Sequence, residues 1–434
     1  MSAASFLRRL IGRGGGMDGA LQHLSGLCDA LLAVSGEYAS TALAREALEA
    51  FTALDERGRA QFFDVLARDY SPSPEAVGQS AAAYQADPSP DNLARLQESV
   101  ESLRRELFRR LNMAQGGTAA LVEMRKDLLK NLRANPPWRV IDADLLHLLR
   151  EWFNRGFLRL ERIDWRTSAL VLEKLTEYEA VHAIQGWRDL RRRLEADRRC
   201  FAFFHPQLPD EPIIFIEVAL TRSMSAHIQP LLDIGSPVTP ANVDCAMFYS
   251  ITNCQEGLRG ISFGNLLIKQ VAEELKREFP HLRRFATLSP IPGLRRWLEQ
   301  KRSERPKELA LLAKLEQPDW HLGEVSDALQ RTLLRLCAYY LLQAKQGDEP
   351  LDPVARFHLG NGAVLERVNW MGDISESGMS RSAGLMVNYV YWLNEVERNH
   401  ERYFREHAIA ASPAVEKLAR ECMLAAPAEK GAAA

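Results

Sequence analysis

The sequence has 434 residues, more than one hydrophobic core usually holds, so we expect two or three domains. Its composition, with 46% hydrophobic and 26% charged residues, is that of a soluble globular protein. A formal net charge of −2 gives no sign of a nucleic-acid-binding surface. No apolar run approaches the roughly 18 residues of a membrane-spanning helix, so we expect no membrane partner.

The six cysteines are scattered, without a CxxC pair or a histidine at metal-ligand spacing. We therefore predict reduced thiols, no metal site and a cytoplasmic location. Residues 1–16 contain three arginines and no acid, and their apolar part is too short for a secretory signal. We predict a flexible bacterial tail there, with an organellar presequence as the less favoured alternative.

Residues 17–152 are predicted to form a helical bundle. Apolar residues recur at helical spacing between charges in 42–70 and 88–113. A helix is expected to begin after Pro90 with Asp91 as its cap. His147 stands among leucines and is expected in the core or an interface. We find no catalytic constellation in this part, so its expected role is packing or oligomerisation.

After Gly156 the pattern changes to strands that alternate with helices, which predicts an α/β region over 153–425. The runs of strand length are rich in β-branched and aromatic residues. Residues 426–434 are predicted to be a disordered tail. The predicted strands are 200–208, 211–220, 244–252, 285–289 and 363–370, and the predicted helical segments are 265–279, 308–346 and, mainly, 379–407.

A glycine-bearing loop precedes the amphipathic helix at 265–279. Its glycines are Gly257, Gly260 and Gly264, which let the backbone approach a ligand closely. The unpaired N–H groups at the start of a helix, together with the helix dipole, suit a pyrophosphate. Arg259 and Lys269 could add positive charge. A glycine-rich turn without a ligand remains the alternative.

The stretch Arg259–Gly264 resembles the pyrophosphate loop of the GCN5-related N-acetyltransferase superfamily, with Ser262 where that loop usually has its middle glycine. Between 283 and 307, eight lysines and arginines face only two acids. A solvated helix face would explain part of this charge. A multiply charged ligand such as coenzyme A would explain the rest.

Three blocks in order, 246–282, 285–298 and 357–393, carry a resemblance to the malonyl-CoA decarboxylase family. The strings that carry it are SPIPG, FHL-x-NGA and GLM-x-NY. The similarity runs from about Trp152 to Glu397, and the helical part is consistent with the family's helical oligomerisation domain.

The resemblance implies an α/β (α+β) fold, with an N-terminal helical bundle followed by an acetyltransferase-like catalytic domain that contains a mixed sheet. It implies a carboxy-lyase that converts malonyl-CoA to acetyl-CoA and carbon dioxide. Coenzyme A is then part of the substrate, and no separate cofactor is expected. A homo-oligomer, either a tetramer or a dimer, is what the family suggests.

The resemblance also implies site residues. The catalytic pair would be Ser289 and His358, with Ser250 and Tyr391 as further active-site residues. An acidic residue that some family members carry in the coenzyme A loop is replaced here by Ser262, so its role does not transfer. The loop itself would comprise Arg259, Gly260, Ile261, Ser262, Phe263, Gly264 and Asn265.

The chemistry fits these residue types. Losing carbon dioxide from a malonyl thioester leaves an enolate, which the Ser289 hydroxyl could position and stabilise. His358, with an unperturbed pKa near neutrality, could donate the proton. Without the resemblance, Ser289 would be a turn residue, His358 a satisfied polar side chain and Tyr391 a core residue on an aromatic helix.

Three other functions stay open at this point. An acyl-CoA acyltransferase would use the same loop, and a non-catalytic acyl-CoA-binding regulator would need neither Ser289 nor His358. A serine hydrolase is less favoured because no G-x-S-x-G elbow surrounds Ser289. Pro290 and Pro292 cannot continue a strand's hydrogen bonding, so Ser289 is expected at a sheet end facing a cleft.

Overall fold

The computed structural model describes residues 17–233, 243–261, 266–317, 319–322 and 325–424. The two predicted tails, 1–16 and 426–434, lie outside these ranges. The chain divides into two compact units, each discontinuous in sequence. The first unit is drawn from Met1–Leu158, His205–Glu211 and Gln255–Ser262, and the second from Arg159–Phe204, Pro212–Cys254 and Phe263–Ala434.

The first unit is helical, as its 3.6-residue periodicity predicts. Each longer helix buries one apolar face, and a short 3₁₀ turn, Pro136–Trp138, precedes the last one. The helices are α1 (Met17–Ala33), α2 (Glu37–Thr52), α3 (Glu56–Asp69), α4 (Pro74–Ala86), α5 (Pro90–Val100), α6 (Leu103–Leu111), α7 (Gly117–Asn131) and α8 (Arg139–Trp152).

One local prediction in this unit is wrong, and a second is wrong in part. The cap of α5 is Ser89, whose hydroxyl accepts the Asn92 amide, and Asp91 lies inside the helix. Proline is favoured at the first helical position, so Pro90 leaves the capping position to the residue before it. His147 is exposed on the outer face of α8, 3.4 Å from Glu151, so it is not a core residue, and an interface position stays a prediction.

The second unit is built on an eight-stranded mixed sheet with the order β1-β2-β3-β4-β5-β10-β6, in which β9 pairs with β10. Strand β4 is antiparallel to β3 and parallel to β5, while β10 is antiparallel to β5, β6 and β9. A separate pair is formed by β7 (Lys345–Gln346) and β8 (Glu349–Pro350). The sheet strands are β1 (Arg159–Ile163), β2 (Arg198–His205), β3 (Leu208–Thr221), β4 (Cys245–Asn253), β5 (Arg284–Thr287), β6 (Ser289–Pro290), β9 (Val364–Asn369) and β10 (Met386–Val390).

Helices connect these strands, and the one between the parallel strands β4 and β5 is the predicted amphipathic helix. Residues 310–316, predicted helical, form a 3₁₀ helix. Among the described residues, no helix is both long and apolar enough to cross a membrane. The helices of this unit are α9 (Ala169–Tyr178), α10 (Trp187–Arg193), α11 (Gln229–Leu232), α12 (Leu266–Glu278), α13 (Leu294–Glu304), α14 (Asp327–Gln343), α15 (Pro353–Gly360), α16 (Glu376–Ser382), α17 (Val396–Glu406) and α18 (Pro413–Arg420).

The segment 379–407, predicted mainly helical, is helical only at its two ends. Ala383 and Gly384 have positive φ angles of 53° and 77°, and they end α16. Strand β10 follows, and Tyr391 comes directly after it, so the prediction that Tyr391 lies on a helix is wrong. Pairing of β10 with strands on both sides outweighs the helical spacing of its apolar residues.

Together the helical first unit and the mixed sheet of the second confirm the predicted α/β fold class. The order of strand β4, helix α12 and strand β5 is the one predicted from the sequence, and the two strands are parallel.

Candidate active site

A cavity of about 360 Å³ lies in the second unit, where β4 and β5 separate. Their register runs as far as Phe248 opposite Thr287, and beyond that point Ser289 pairs with Val387 of β10. Ser250 and Ser289, each two residues further along, therefore line one opening from neighbouring strands. The lining residues are Val181, Phe248, Tyr249, Ser250, Ile251, Asn253, Leu288, Ser289, Pro290, Pro353, Val354, Phe357 and His358.

A chain of hydrogen bonds joins three of the predicted site residues. Ser289 Oγ lies 3.0 Å from Nε2 of His358, and Nδ1 of His358 lies 2.8 Å from the Tyr391 hydroxyl. Ser289 Oγ also donates to Oγ1 of Thr287 at 2.8 Å. All these side chains are buried, with 1–4% of their surface exposed. The chain is therefore shielded from water except where it meets the cavity.

The direction of these bonds follows from counting protons. The single hydroxyl proton of Ser289 points to Thr287, so the bond between Ser289 and His358 must use a proton on Nε2. In a neutral imidazole, Nδ1 is then an acceptor, and the Tyr391 hydroxyl donates a hydrogen bond to it. His358 therefore presents an N–H group toward Ser289.

Burial sets the charge state of this chain. It lowers the pKa of His358 from 6.5 to about 3 and raises the pKa of Tyr391 well above its usual 10. The ring of Tyr389 stacks on that of His358, with centroids 4.6 Å apart and planes at 26°, and contributes to the exclusion of water. The histidine is thus neutral at physiological pH, whereas the sequence suggested an ordinary pKa.

This charge state predicts a pH dependence. The rate constant kcat at saturating substrate should show no inflection near 6.5 between about pH 5 and 8, because His358 does not titrate there. Below pH 6.5 the histidine of the unfolded chain binds a proton, whereas folded His358 stays neutral down to its pKa of about 3. The free energy of unfolding should therefore fall as the pH is lowered below 6.5. Nuclear magnetic resonance titration of the histidine ring signals, assigned by their loss in His358→Gln, measures this directly. A His358 midpoint close to 6.5 would contradict it.

The SPIPG turn fixes Ser289 from both sides. Pro290 forms the last pair of β6, opposite Met386, and Gly293 caps the start of α13. A side chain at Gly293 would put a Cβ 2.4 Å from the Tyr340 hydroxyl, which explains glycine at that position. The turn is therefore closely packed against α14, and Ser289 is held at the sheet end, as predicted.

Helix α15 positions His358 through its two ends. At its start, Asp352 is fully buried and accepts the amides of Val354 and Ala355 at 3.0 and 2.9 Å. Burial raises the pKa of Asp352 to about 6, against the lowering effect of those amides. At its end, Gly362 has φ +79° and lies so close to Val396 that a Cβ would be 2.1 Å from its carbonyl oxygen. The FHL-x-NGA string thus encodes a helix end.

The GLM-x-NY string holds the strand next to Ser289. Asn388 is fully buried, and its amide donates to the carbonyls of Thr287 at 2.7 Å and Ser225 at 3.1 Å. Its side-chain oxygen accepts from Arg367 and Asn369. Because both polar atoms of the Asn388 side chain have partners, the spacing between β10 and the Ser289 segment is fixed.

Ser250 lies on β4, and its hydroxyl is bound by a buried carboxylate. The hydroxyl donates to Oε2 of Glu179 at 2.7 Å, while Oε1 of Glu179 accepts the amides of Val181 and His182 at 2.8 Å. Glu179 is buried at the end of α9. In this state Ser250 can offer the cavity only lone pairs, next to a carboxylate.

The candidate coenzyme A loop is described only in its first part. Arg259, Gly260 and Ile261 belong to the first unit, and Ser262, Phe263, Gly264 and Asn265 lie outside the described residues. The amides of Arg259 and Ile261 donate to the carbonyls of Glu256 and Leu258, so these two N–H groups are occupied.

Two arginines of the helical unit donate hydrogen bonds to backbone carbonyl groups at the start of that loop. Arg125 donates to the carbonyls of Gly257 and Arg259 at 2.6 and 2.8 Å, and Arg150 donates to that of Gly260 at 3.3 Å. Gly257 lies so close to α7 that a Cβ would be 2.0 Å from the Val122 carbonyl oxygen. The glycine at 257 is therefore required for packing.

The predicted excess of positive charge is partly neutralised. Lys269 pairs with Glu397 at 2.7 Å, so it is not a free cation for a phosphate. Of the eight lysines and arginines between 283 and 307, four form ion pairs with glutamates, as expected of a solvated helix face. Those paired with a glutamate are Arg295, Lys301, Arg302 and Arg305.

Several residues of the site were missed in the sequence. Asp352 could have been found, because an aspartate before a proline is a helix-start signal. Thr287 could have been found from strand alternation, since it shares a face with Ser289. Glu179 carries no such signal, because its contact with Ser250 joins residues 71 positions apart. Among the described residues, no group of three or more metal-ligating side chains was found.

A mixed sheet in which a helix joins two parallel strands, and a buried hydroxyl–imidazole–phenol chain at a cavity, are the features of an α/β protein with an enzyme-like site. A family model described as the malonyl-CoA decarboxylase C-terminal domain matches residues 156–430, and the model of the N-terminal domain matches 70–153. The chain belongs to the malonyl-CoA decarboxylase family and is a carboxy-lyase that acts on malonyl-CoA.

Relatives and solved structures agree with this assignment. The mitochondrial malonyl-CoA decarboxylase of Anser anser anser is 38% identical over 397 residues, which cover 82% of this chain and 79% of the relative. The crystal structure of malonyl-CoA decarboxylase from Rhodopseudomonas palustris is 48% identical with a TM-score of 0.88, covering 92% of this chain and 99% of that one. The corresponding structure from Agrobacterium vitis is 46% identical with a TM-score of 0.86, covering 91% and 99%.

Proposed function

We propose that Ser289, His358 and Tyr391 carry out the decarboxylation of malonyl-CoA, with Ser250 on the facing side of the cavity. The observation that carries this proposal is the buried chain of hydrogen bonds from Tyr391 through His358 to Ser289 at the cavity. Neutral N–H and O–H donors in a water-poor site suit an enolate oxygen, whose charge develops only during the reaction.

In the first step, the bond between the methylene carbon and the carboxylate breaks. Its electron pair forms the thioester enolate, and carbon dioxide leaves. The cavity favours this step because much of its lining is apolar, including Phe248, Leu288 and Phe357, so a bound carboxylate loses part of its hydration. With substrate bound, the Ser289 hydroxyl proton turns from Thr287 to the oxygen that gains charge, while His358 still donates from Nε2 to Ser289.

In the second step, the enolate carbon takes a proton. His358 supplies it from Nε2, and the Tyr391 hydroxyl passes its proton to Nδ1, so the negative charge leaves the enolate and comes to the Tyr391 oxygen. One proton from solvent then restores the chain. Neutral histidine is suited to this role because its lowered pKa keeps Nε2–H present as a donor at neutral pH without adding a buried positive charge.

The remaining proposals concern binding and environment. The loop from Arg259 to Asn265 is proposed to bind coenzyme A. The helices of 17–152 are proposed to form an oligomerisation domain, residues 153–425 a catalytic domain, and the assembly a tetramer or dimer. The six free, buried cysteines support a reducing, cytoplasmic compartment.

Turnover in heavy water tests the proposed reaction. Purified protein with malonyl-CoA, and with neither acceptor nor added metal, should release carbon dioxide and acetyl-CoA in equal amounts. Each acetyl group should carry one deuterium, delivered from solvent through the chain. Acetyl-CoA incubated with the protein serves as the exchange control. Free malonate and coenzyme A would indicate a hydrolase, and no turnover would favour a regulator.

A further inference from the structure

Thr287 accepts the hydrogen bond that the Ser289 hydroxyl donates. Its side chain is 1% exposed, and its Oγ1 accepts both Ser289 Oγ at 2.8 Å and the Tyr389 amide at 3.2 Å. Its own carbonyl accepts the Asn388 amide at 2.7 Å. Thr287 is thus fixed at three points, and its acceptor oxygen has little freedom to turn away from Ser289.

Because Thr287 is the acceptor for Ser289, the donor and acceptor in the serine–histidine hydrogen bond are the reverse of those in a serine hydrolase. In a serine hydrolase the serine donates to Nε2, and an acid accepts the proton on Nδ1, which makes the serine oxygen nucleophilic. Here Ser289 donates to Thr287, and His358 must donate from Nε2 to Ser289. The oxygen of Ser289 therefore receives a hydrogen bond from the group that would otherwise remove its proton.

The opposite polarity would permit a different reaction on the same substrate. With its proton on the bond to Nε2, Ser289 could attack the thioester carbonyl. The carbon–sulfur bond would break, and His358 would pass the serine proton to the leaving sulfur. The products would be an acyl ester on Ser289 and free coenzyme A, and water would later release the acid. Nothing else in the dyad distinguishes the two reactions, because the Tyr391 hydroxyl can either donate to Nδ1 or accept from it.

We propose that Thr287 determines reaction specificity by holding the Ser289 proton away from His358, so that the dyad stabilises and protonates an enolate and does not acylate Ser289. This inference rests on the roles proposed above for Ser289 and His358. Thr287 is a positioning residue, since it acts through Ser289 and is absent from the cavity lining. The buried strand position fits this role because a β-branched side chain is stiff about χ1.

The test is Thr287→Val, which keeps the shape of the side chain and removes the acceptor. Ser289 should then donate to His358, and the ratio of free coenzyme A to acetyl-CoA among the products should rise at least about tenfold. Intact-protein mass spectrometry after a brief reaction should show one added acetyl or malonyl group, mapped to Ser289. General damage to the fold would lower both products and would not create an acyl-enzyme.

Three comparisons complete the experiment. Thr287→Ser keeps the acceptor and should keep the wild-type product ratio. Thr287→Val combined with Ser289→Ala should lose the added acyl group and the extra coenzyme A. If Thr287→Val forms no acyl-enzyme and leaves the product ratio unchanged, the inference is wrong. That failure differs from failure of the proposed function, in which Ser289→Ala alone would retain normal decarboxylation.

Discussion

Replacing Ser289 with alanine, or His358 with glutamine, should lower kcat for decarboxylation at least about 100-fold. Removing one preorganised donor to an oxyanion costs roughly 2.7–4 kcal/mol of transition-state stabilisation, and general acid catalysis contributes about 10²–10⁴-fold. KM should change much less, because both side chains act on charge that appears after the carboxylate begins to leave. The measurement is steady-state formation of acetyl-CoA from malonyl-CoA.

Matched substitutions separate loss of chemistry from loss of structure. Ser380 and His281 are exposed in the same unit, so Ser380→Ala and His281→Gln should have wild-type kcat. Combining Ser289→Ala with His358→Gln should cost little more than the worse single change, because the two residues act as one hydrogen-bonded chain. Multiplicative losses in the double variant would mean that they act separately, and near-normal rates in either single variant would remove that residue from the mechanism.

The sequence could predict which residues meet at the site but not how they interact. The family strings SPIPG and FHL-x-NGA predict Ser289 and His358, and the strand end at Pro290 follows from proline chemistry. The direction of the Ser289 hydrogen bond depends on Thr287, and the neutral state of His358 depends on complete burial. Both are properties of tertiary packing, which no local pattern records.

The errors have the same origin. The Tyr391 segment has helical spacing of its apolar residues, yet it joins a strand whose partners lie far away in sequence. The cap at Ser89 needed only local rules, and Pro90 was the available signal. Glu179 and Ser250 come together through the fold alone. Local chemistry thus predicts ends and turns, while buried polar contacts between distant segments need the structure.

One such contact is the buried ion pair between Arg193 and Glu217, on the strand next to Ser250. Glu217 faces Ser250 across β3 and β4, and its carboxylate pairs with Arg193 at 2.5 Å, with both side chains at most 3% exposed. Arg193 also donates to the His182 carbonyl at 2.8 Å and to Asp189. It therefore connects a buried charge to the 179–182 turn, whose Glu179 accepts the Ser250 hydroxyl.

Arg193→Met should lower the free energy of unfolding by about 3–5 kcal/mol, because it leaves Glu217 buried without its partner. Burial already raises the pKa of Glu217, and the loss of the arginine charge raises it further. In the intact protein folded Glu217 already holds its proton up to a pKa of about 8, so the extra destabilisation of the variant should grow as pH rises above about 8, where only the variant keeps that proton. Urea unfolding at several pH values measures both effects.

Arg191 is exposed on the same helix, so Arg191→Met is the matched control and should change stability by less than about 0.5 kcal/mol. Adding Glu217→Leu to Arg193→Met removes the unpaired charge and should recover much of the lost stability. If Arg193→Met unfolds like Arg191→Met, the buried pair does not hold this part of the fold. If the double variant recovers stability but KM for malonyl-CoA remains altered, Arg193 also positions the 179–182 turn beside the cavity.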